Sequence, residues 1–362
     1  MEKINIKWKY TNRIVNGLMK INRAKEIVDL LELPMSIEEE IKKETITKQV
    51  HYSTKIEGNN LNLKEVKEVI ENKKTSHERD VIEVRNYYNA LMYLNELEPA
   101  KTSITEDLIF KVHNLVSGKK INFNNNYRDG QNVVKDSKSG TIVYMPPEAK
   151  DVKKLIKQIV EEFNSAENDD IPIPIRAGIF AYEFVTIHPF WDGNGRCSRL
   201  LATYILKKYN YDLKGFYVME EFYDKNINEY YNSLQMNLHH NFYYGRNKAD
   251  ITEWLEYFIT IMADTFEIVG KRVKEIYKNS KNEISVFDTL DKRERWVANF
   301  IINNGKIKAK DIATHFKINL DTANNWIKKW MVKEFVERYD KEQKRNIDYI
   351  LTNKYTKELS RK

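Results

Sequence analysis

Chain breakers are scarce in this sequence, and no other feature constrains the fold so strongly. Twelve glycines and seven prolines punctuate 362 residues, 41% of them hydrophobic. Long stretches therefore run uninterrupted at helical spacing, and the chain reads as mostly α-helical with a sizeable core. Its length favours two or three folded units. A single cysteine, Cys197, excludes an internal disulfide framework and fits a reducing compartment. The polar start MEKINIKWKY and the lack of any 18-residue apolar run argue against a secretory leader or a membrane span. A soluble, cytoplasmic protein is expected.

Residues 37–57 read as a helix closed by Gly58. Asn62 with Glu65 forms a capping box that opens the next helix, and two more are expected over 77–98 and 103–117. The texture changes at NVVKDSKSGTIVYMPP, where two β-branched runs around residues 136–140 spell a hairpin ended by Pro146 and Pro147. Helices resume over 149–165 and 174–187, after Gly195, and over 227–280. From residue 286 the pattern is three helices and a two-stranded ribbon, VERYD and IDYILTN, joined by a polar KEQKRN turn. That order predicts a winged helix-turn-helix. Its third helix would offer Asn319, Asp321, Thr322, Asn324, Asn325, Lys328 and Lys329 to a partner while Trp326, Ile327 and Trp330 face the core. Residues 281–362 hold 19 basic and 12 acidic side chains, which accounts for the whole net charge of +7. DNA is thus a candidate partner of this segment alone, with protein docking as the alternative.

The densest chemistry lies in HPFWDGNGRCSR, residues 188–199. Gly193, Asn194 and Gly195 form a turn between an apolar helix and a following one. Successive backbone N–H groups at such a helix start cradle an anion, and glycine lets phosphate approach the main chain. Arg196 and Arg199 lie in the first turns of the new helix, and two guanidinium groups beside such a cradle suit a polyphosphate. Asp192 offers a hard oxygen to Mg²⁺ at its mouth. His188 alone titrates near neutrality and is able to take a proton from a hydroxyl. Phe190 and Trp191 read as packing residues. Taken singly, each feature is ordinary; together they read as nucleotidyl or phosphoryl transfer.

The stretch resembles the Fic-family (Fic/Doc, Fido) signature H-x-F-x-[D/E]-G-N-G-R-x-x-R at all eight specified positions. Chance would produce that on the order of once in 10¹⁰ starting points at about one in twenty per position. The resemblance implies a Fic-type helical core with a β-hairpin flap and a protein adenylyltransferase. Such an enzyme moves AMP from ATP to a Ser, Thr or Tyr hydroxyl of a target protein, itself included, with Mg²⁺. By motif position His188 would be the general base and Asp192 the metal ligand. Gly193, Asn194, Gly195 and Arg196 would hold the phosphates, and Arg199 would meet the γ-phosphate. Thr141, Ile142, Val143 and Tyr144 on the flap would line the nucleotide and target groove. Tyr230 and Tyr231 of EYYNSLQ would lie near the adenine.

A second stretch, HYSTKIEGNN, resembles the family's inhibitory motif [S/T]-x-x-x-E-[G/N], with Ser53, Glu57 and Gly58 as its marked positions. Glu57 sits at the end of a helix, where the dipole disfavours an anion by about 0.3–1 kcal/mol; the resemblance pairs it with Arg199 and makes it autoinhibitory. The expected organisation is 1–100 as an N-terminal helical region bearing that motif, 101–270 as the catalytic core, and 271–362 as a linker helix and winged helix. Two rivals are a transcriptional regulator that only senses nucleotide and an enzyme that mainly removes AMP. The intact His188 speaks for the transferase. The target protein and any homo-oligomer are left open.

Overall fold

The computed structural model describes residues 6–98, 102–118, 126–135, 139–165, 170–280, 290–340, 342 and 346–359. It is mostly helical, with a small amount of antiparallel sheet, and it divides into two compact units, Met1–Leu31 with Ile41–Val273 and Glu32–Glu40 with Lys274–Lys362.

In the first unit the helices are α1 (Asn12–Leu30), α2 (Met35–Lys55, from Ile41 on), α3 (Leu63–Ile70), α4 (Arg79–Glu96), α5 (Glu106–Val116), α6 (Ala149–Asn164), α7 (Ile173–Ile187), α8 (Asn194–Lys208), α9 (Glu220–Lys225), α10 (Ile227–Gln235) and α11 (Thr252–Ser280, as far as Val273). Local chemistry sets several starts. Thr11 and Thr105 cap α1 and α5 by accepting the Ile14 and Leu108 backbone N–H groups, and the Asn62–Glu65 capping box forms as expected. Helix α7 buries Ile175, Phe180, Phe184 and Ile187 together with most of its remaining surface. A helix that is apolar all round belongs at the centre of a core. Helix α8 lies along α7 and also touches α4 and α5, while α6 covers α7 from elsewhere. The α7–α8 connection is thereby fixed from several sides.

The hairpin consists of β1 (Val134–Lys135) and β2 (Ile142–Tyr144), antiparallel, with Val134 opposite Tyr144, Lys135 opposite Ile142 and a bulge between. Residues 136–138 of the turn expected at 136–140 lie outside the described residues. The root of the hairpin is held by the chain at 240–242: Met145 N–H donates to the His240 carbonyl and Phe242 N–H to the Met145 carbonyl. This replaces part of the continuous helix expected over 227–280. Helix α10 stops at a left-handed Met236, Asn237 is also left-handed, and Gly245 has φ 121°. Asparagine, histidine and glycine in that segment favour turns over helix. Helix α1 was not evident from the sequence at all.

The second unit contains α12 (Lys292–Asn304), α13 (Ala309–Phe316), α14 (Leu320–Val332) and α15 (Asn353–Leu359), with β3 (Ile307–Lys308), β4 (Val336–Arg338) and β5 (Asp348–Leu351). The strands form one antiparallel sheet in the order β3-β5-β4. The expected ribbon thus gains a third strand. Val297, Ile312, Ile327, Trp330, Phe335 and Tyr355 anchor the core, with Trp326 only partly buried against it. Asn319 spends its side chain capping α14, accepting the Thr322 N–H at 2.8 Å. Asn324, Asn325, Lys328 and Lys329 remain exposed on α14. Most of the expected KEQKRN turn lies outside the described residues.

Candidate active site

The site is a six-residue connection, residues 188–193, between two helix ends. Helix α7 is capped by His188, whose φ of 52° is left-handed, a conformation that costs a non-glycine residue about 1–2 kcal/mol. Its N–H donates to the Phe184 carbonyl at 3.0 Å, and its carbonyl accepts from Arg128 Nε at 2.9 Å. Those bonds hold the backbone in place. On the ring, Nδ1 lies 3.2 Å from the Val185 carbonyl. A carbonyl only accepts, so Nδ1 carries the hydrogen and Nε2 carries the lone pair. Burial pushes the ring's pKa down to about 4; the Val185 carbonyl, Glu57 and Asp192 oppose this and Arg128 reinforces it. His188 is therefore a neutral base at physiological pH.

Phe190 is buried and stacked on His113, with ring centroids 3.6 Å apart. Trp191 departs from the packing role expected for it. Its side chain is 56% exposed and lies against Gly130, where a Cβ would meet the indole at 3.0 Å. Gly193 is the N-cap of α8 with φ 81°, and a Cβ there would press on Val116. The turn therefore needs glycine twice over. Asn194 also departs from expectation. Its buried amide accepts from Phe190 N–H at 2.9 Å and donates to the Phe190 carbonyl at 2.8 Å. It closes the loop, whereas the family resemblance implies that it holds phosphate.

The two arginines divide the labour. Arg199 is buried and donates from Nε to Ser53 Oγ at 2.9 Å, and from Nη2 to the Ser53 carbonyl at 2.8 Å and to Glu57 Oε1 at 2.9 Å. Glu57 follows the end of α2 in a turn closed by Gly58 at φ 90°. Its carboxylate lies over the first turn of α8, so close to Gly195 that a Cβ there would collide with Oε1. The unfavourable end of one helix dipole is thus exchanged for the favourable end of another. Arg196 points the other way, from Nη1 to Glu83 and from Nη2 to Asp192 Oδ2 at 3.1 Å. For Arg196, too, the resemblance implies a phosphate contact, and here both of its Nη atoms meet carboxylates. Asp192 itself is 84% exposed. Among the described residues no group of three or more metal-ligating side chains occurs, so any cation here would rest on this open carboxylate and on ligand oxygens. That suits Mg²⁺, which keeps water and phosphate ligands.

The remaining expected residues are only partly gathered. Thr141 and Ile142 are exposed on the hairpin and Val143 is half-buried. Tyr144 turns inward: its hydroxyl donates to the Thr186 carbonyl at 2.5 Å and its ring lies under the Arg246 guanidinium, 4.5 Å away. A phenol with those two partners is satisfied in the core, so only the Tyr144 backbone is left to the groove. Tyr230 is buried and stacked on Tyr223 at 4.6 Å. Tyr231 is exposed by 42% and its hydroxyl sits 3.4 Å from the Ile56 carbonyl, against the turn that carries Glu57.

Two further residues, outside both motifs, support the site. Arg128 is buried and donates to the carbonyls of His188, Gly130 and Pro147, bracing the loop. Nothing periodic marks it. Glu83 left a faint signal, a carboxylate at helical spacing with Tyr87, Ala90 and Leu94 on the apolar side of α4.

Residues 103–206 match the model of the Fic/DOC family. The chain is similar to the protein adenylyltransferase Fic of Nematostella vectensis, 31% identical over 172 residues, 46% of this chain and 38% of that protein. The corresponding Drosophila virilis protein is 26% identical over 198 residues, 54% of this chain and 39% of that one. The chain thus spans about two fifths of the length of these curated relatives. Among solved structures, a Fic family protein from Desulfovibrio desulfuricans G20 superimposes with a TM-score of 0.59 at 24% identity, covering 96% of this chain and 98% of its own. Residues 134–508 of C. elegans Fic-1 superimpose with a TM-score of 0.56 at 23% identity, covering 74% and 73%.

Proposed function

We propose, from the Fic/DOC-family domain that this chain carries at residues 103–206, that it is a protein adenylyltransferase: it transfers AMP from ATP to a hydroxyl side chain of a target protein, itself included, and is autoinhibited by Glu57. The observation that carries this reading is His188, held neutral with its Nε2 lone pair available, beside an open carboxylate and a helix start able to receive phosphate. The hydroxyl oxygen forms a bond to the α-phosphorus, the hydroxyl proton passes to His188 Nε2, and the bond from the α-phosphorus to the bridging oxygen breaks as pyrophosphate leaves. The backbone N–H groups at the start of α8 and Arg199 bind the polyphosphate. Asp192 would hold Mg²⁺, which supplies neutralisation of phosphate charge when bound. Residues 1–100 would contribute the inhibitory turn, 101–270 the catalytic core, and 271–362 a winged helix. The names of the curated relatives support the activity. Incubation with α-labelled ATP and Mg²⁺ tests it: label becomes covalently attached to protein. ATP binding without attachment would leave a nucleotide-sensing regulator, and release of AMP from a modified protein without transfer would mark the reverse reaction.

The depressed His188 pKa gives a pH prediction. The base works while neutral, so transfer should be lost only as pH falls through about 4, rather than near the ordinary histidine value of about 6.5. Removing Glu57 takes away a carboxylate that raises this pKa, so the acid limb of the Glu57→Gly variant lies no higher. A limb near 6.5 in a pH–rate profile would contradict a desolvated base.

For the second unit we propose contact with duplex DNA through the exposed polar face of α14, on the strength of the segment's basic excess. Binding by the full chain should weaken with salt, log K falling by roughly 0.9 per phosphate contacted for each decade of salt. Absence of binding at low salt would assign that face to protein contact.

A further inference from the structure

Glu83 stands outside both motifs, yet it joins them. It lies on α4, 6% exposed, where a carboxylate is tolerated only if its oxygens are engaged. Oε1 accepts from Arg196 Nη1, and Oε2 accepts from Asn59 Nδ2 at 2.9 Å. Asn59 is two residues beyond Glu57 and is itself buried. Its N–H donates to the Thr54 carbonyl at 3.2 Å, Nδ2 also donates to the Asp80 carbonyl at 3.0 Å, and Oδ1 accepts from Leu61 N–H at 3.1 Å. One buried carboxylate therefore anchors the far side of the inhibitory turn and the guanidinium of the signature motif.

That guanidinium is shared unequally. Its Nη1 faces the dry carboxylate of Glu83, its Nη2 faces the exposed carboxylate of Asp192, and its Nε is buried with no partner among the described residues. Charge–charge attraction is far stronger across the dry contact than across the wet one. We propose that Glu83 is a positioning residue that neutralises most of the Arg196 charge, so that the Arg196–Asp192 contact stays weak enough for the divalent cation that accompanies the nucleotide to take over the Asp192 carboxylate. The proposal rests on the reading of Asp192 as the residue that holds that cation. Without the Glu83 charge, Arg196 is neutralised by Asp192 alone and competes with the cation for the same oxygens.

The test uses the full chain with Glu57→Gly, so that relief of inhibition does not intrude, and compares it with the same chain also carrying Glu83→Gln. Two readouts are taken: the Mg²⁺ concentration giving half-maximal transfer of α-label, and the calorimetric affinity of an uncleavable ATP analogue with and without Mg²⁺. Glu83→Gln should raise the Mg²⁺ requirement about tenfold, the size of one charge-assisted contact. It should weaken analogue binding comparably with Mg²⁺ and leave it unchanged without. An unchanged Mg²⁺ dependence, or a loss equal with and without Mg²⁺, overturns the proposal, since a merely structural role would not distinguish the two conditions. Should Glu83→Gln lack the cooperative unfolding transition of its parent, Glu83→Asp is put to the same readouts: it keeps the charge but sets it farther from Arg196, so it should raise the Mg²⁺ requirement less than Glu83→Gln would and again only with Mg²⁺, and no change, or a loss equal with and without Mg²⁺, overturns the proposal. If Glu57→Gly alone transfers no label, the adenylyltransferase reading fails, and calorimetry still decides the role of Glu83.

Discussion

Replacing His188 by alanine is expected to lower AMP transfer by about 10²–10⁴-fold, the usual effect of removing a general base, while ATP still binds. In the proposed reading the phosphate contacts come from the start of α8 and from Arg199, and neither group is held by the imidazole. The complication is the backbone. His188 sits at a left-handed φ, a conformation that alanine adopts less readily than histidine or asparagine, so a distorted loop contributes part of the loss. His188→Asn separates the two effects, because asparagine tolerates this conformation and supplies no base. Both variants should lose transfer alike and retain nucleotide affinity by calorimetry. Transfer by His188→Asn at the parent rate would take the histidine out of the proton step.

The second large effect is on control. Arg199 meets Glu57 and two atoms of Ser53, and it offers its guanidinium to a carboxylate or to a γ-phosphate, hardly to both in one geometry. The Glu57 carboxylate also covers the first turn of α8 at Gly195, the ground a phosphate would occupy. In the proposed reading ATP bound beside it would sit misaligned, and a displacement of about 1 Å costs roughly 10²-fold in rate. Glu57→Gly should therefore raise transfer, self-modification included, by about that factor. Arg199→Ala should lower transfer even when combined with Glu57→Gly, so the pair is non-additive. Incorporation of α-label by the parent, both single variants and the double variant checks this. Equal incorporation by the parent and Glu57→Gly would leave the turn after α2 without an inhibitory role.

What could be read in advance follows from how far apart the interacting residues stand. His188, Asp192, Gly193 and Gly195 are near neighbours in the chain, and a turn between two helices brings them together in any fold. Glu57 and Arg199 are 142 positions apart, and only the resemblance of their two motifs joined them. Glu83 and Arg196, 113 apart, had no such motif, and Arg128 braces carbonyls, which carry no side-chain signature. Asn194, Arg196 and Tyr144 have the residue types of ligand contacts, but the backbone turns each toward an interior partner that one-dimensional spacing does not reveal. The helix expected over 227–280 failed for a local reason, the left-handed Met236 and Asn237 and the turn at Gly245. The strand Ile307–Lys308 is two residues long, too short for any alternation to show.

The most direct test of the central claim is double-label incorporation by the purified Glu57→Gly chain with Mg²⁺, run in parallel with ATP labelled at the α-phosphate and at the γ-phosphate. The account predicts that α-label becomes covalently bound to protein, that γ-label does not, and that the parent chain incorporates about 10²-fold less. Covalent γ-label would make the reaction phosphate transfer, and absence of both labels from a variant that still binds ATP would make the site a nucleotide sensor.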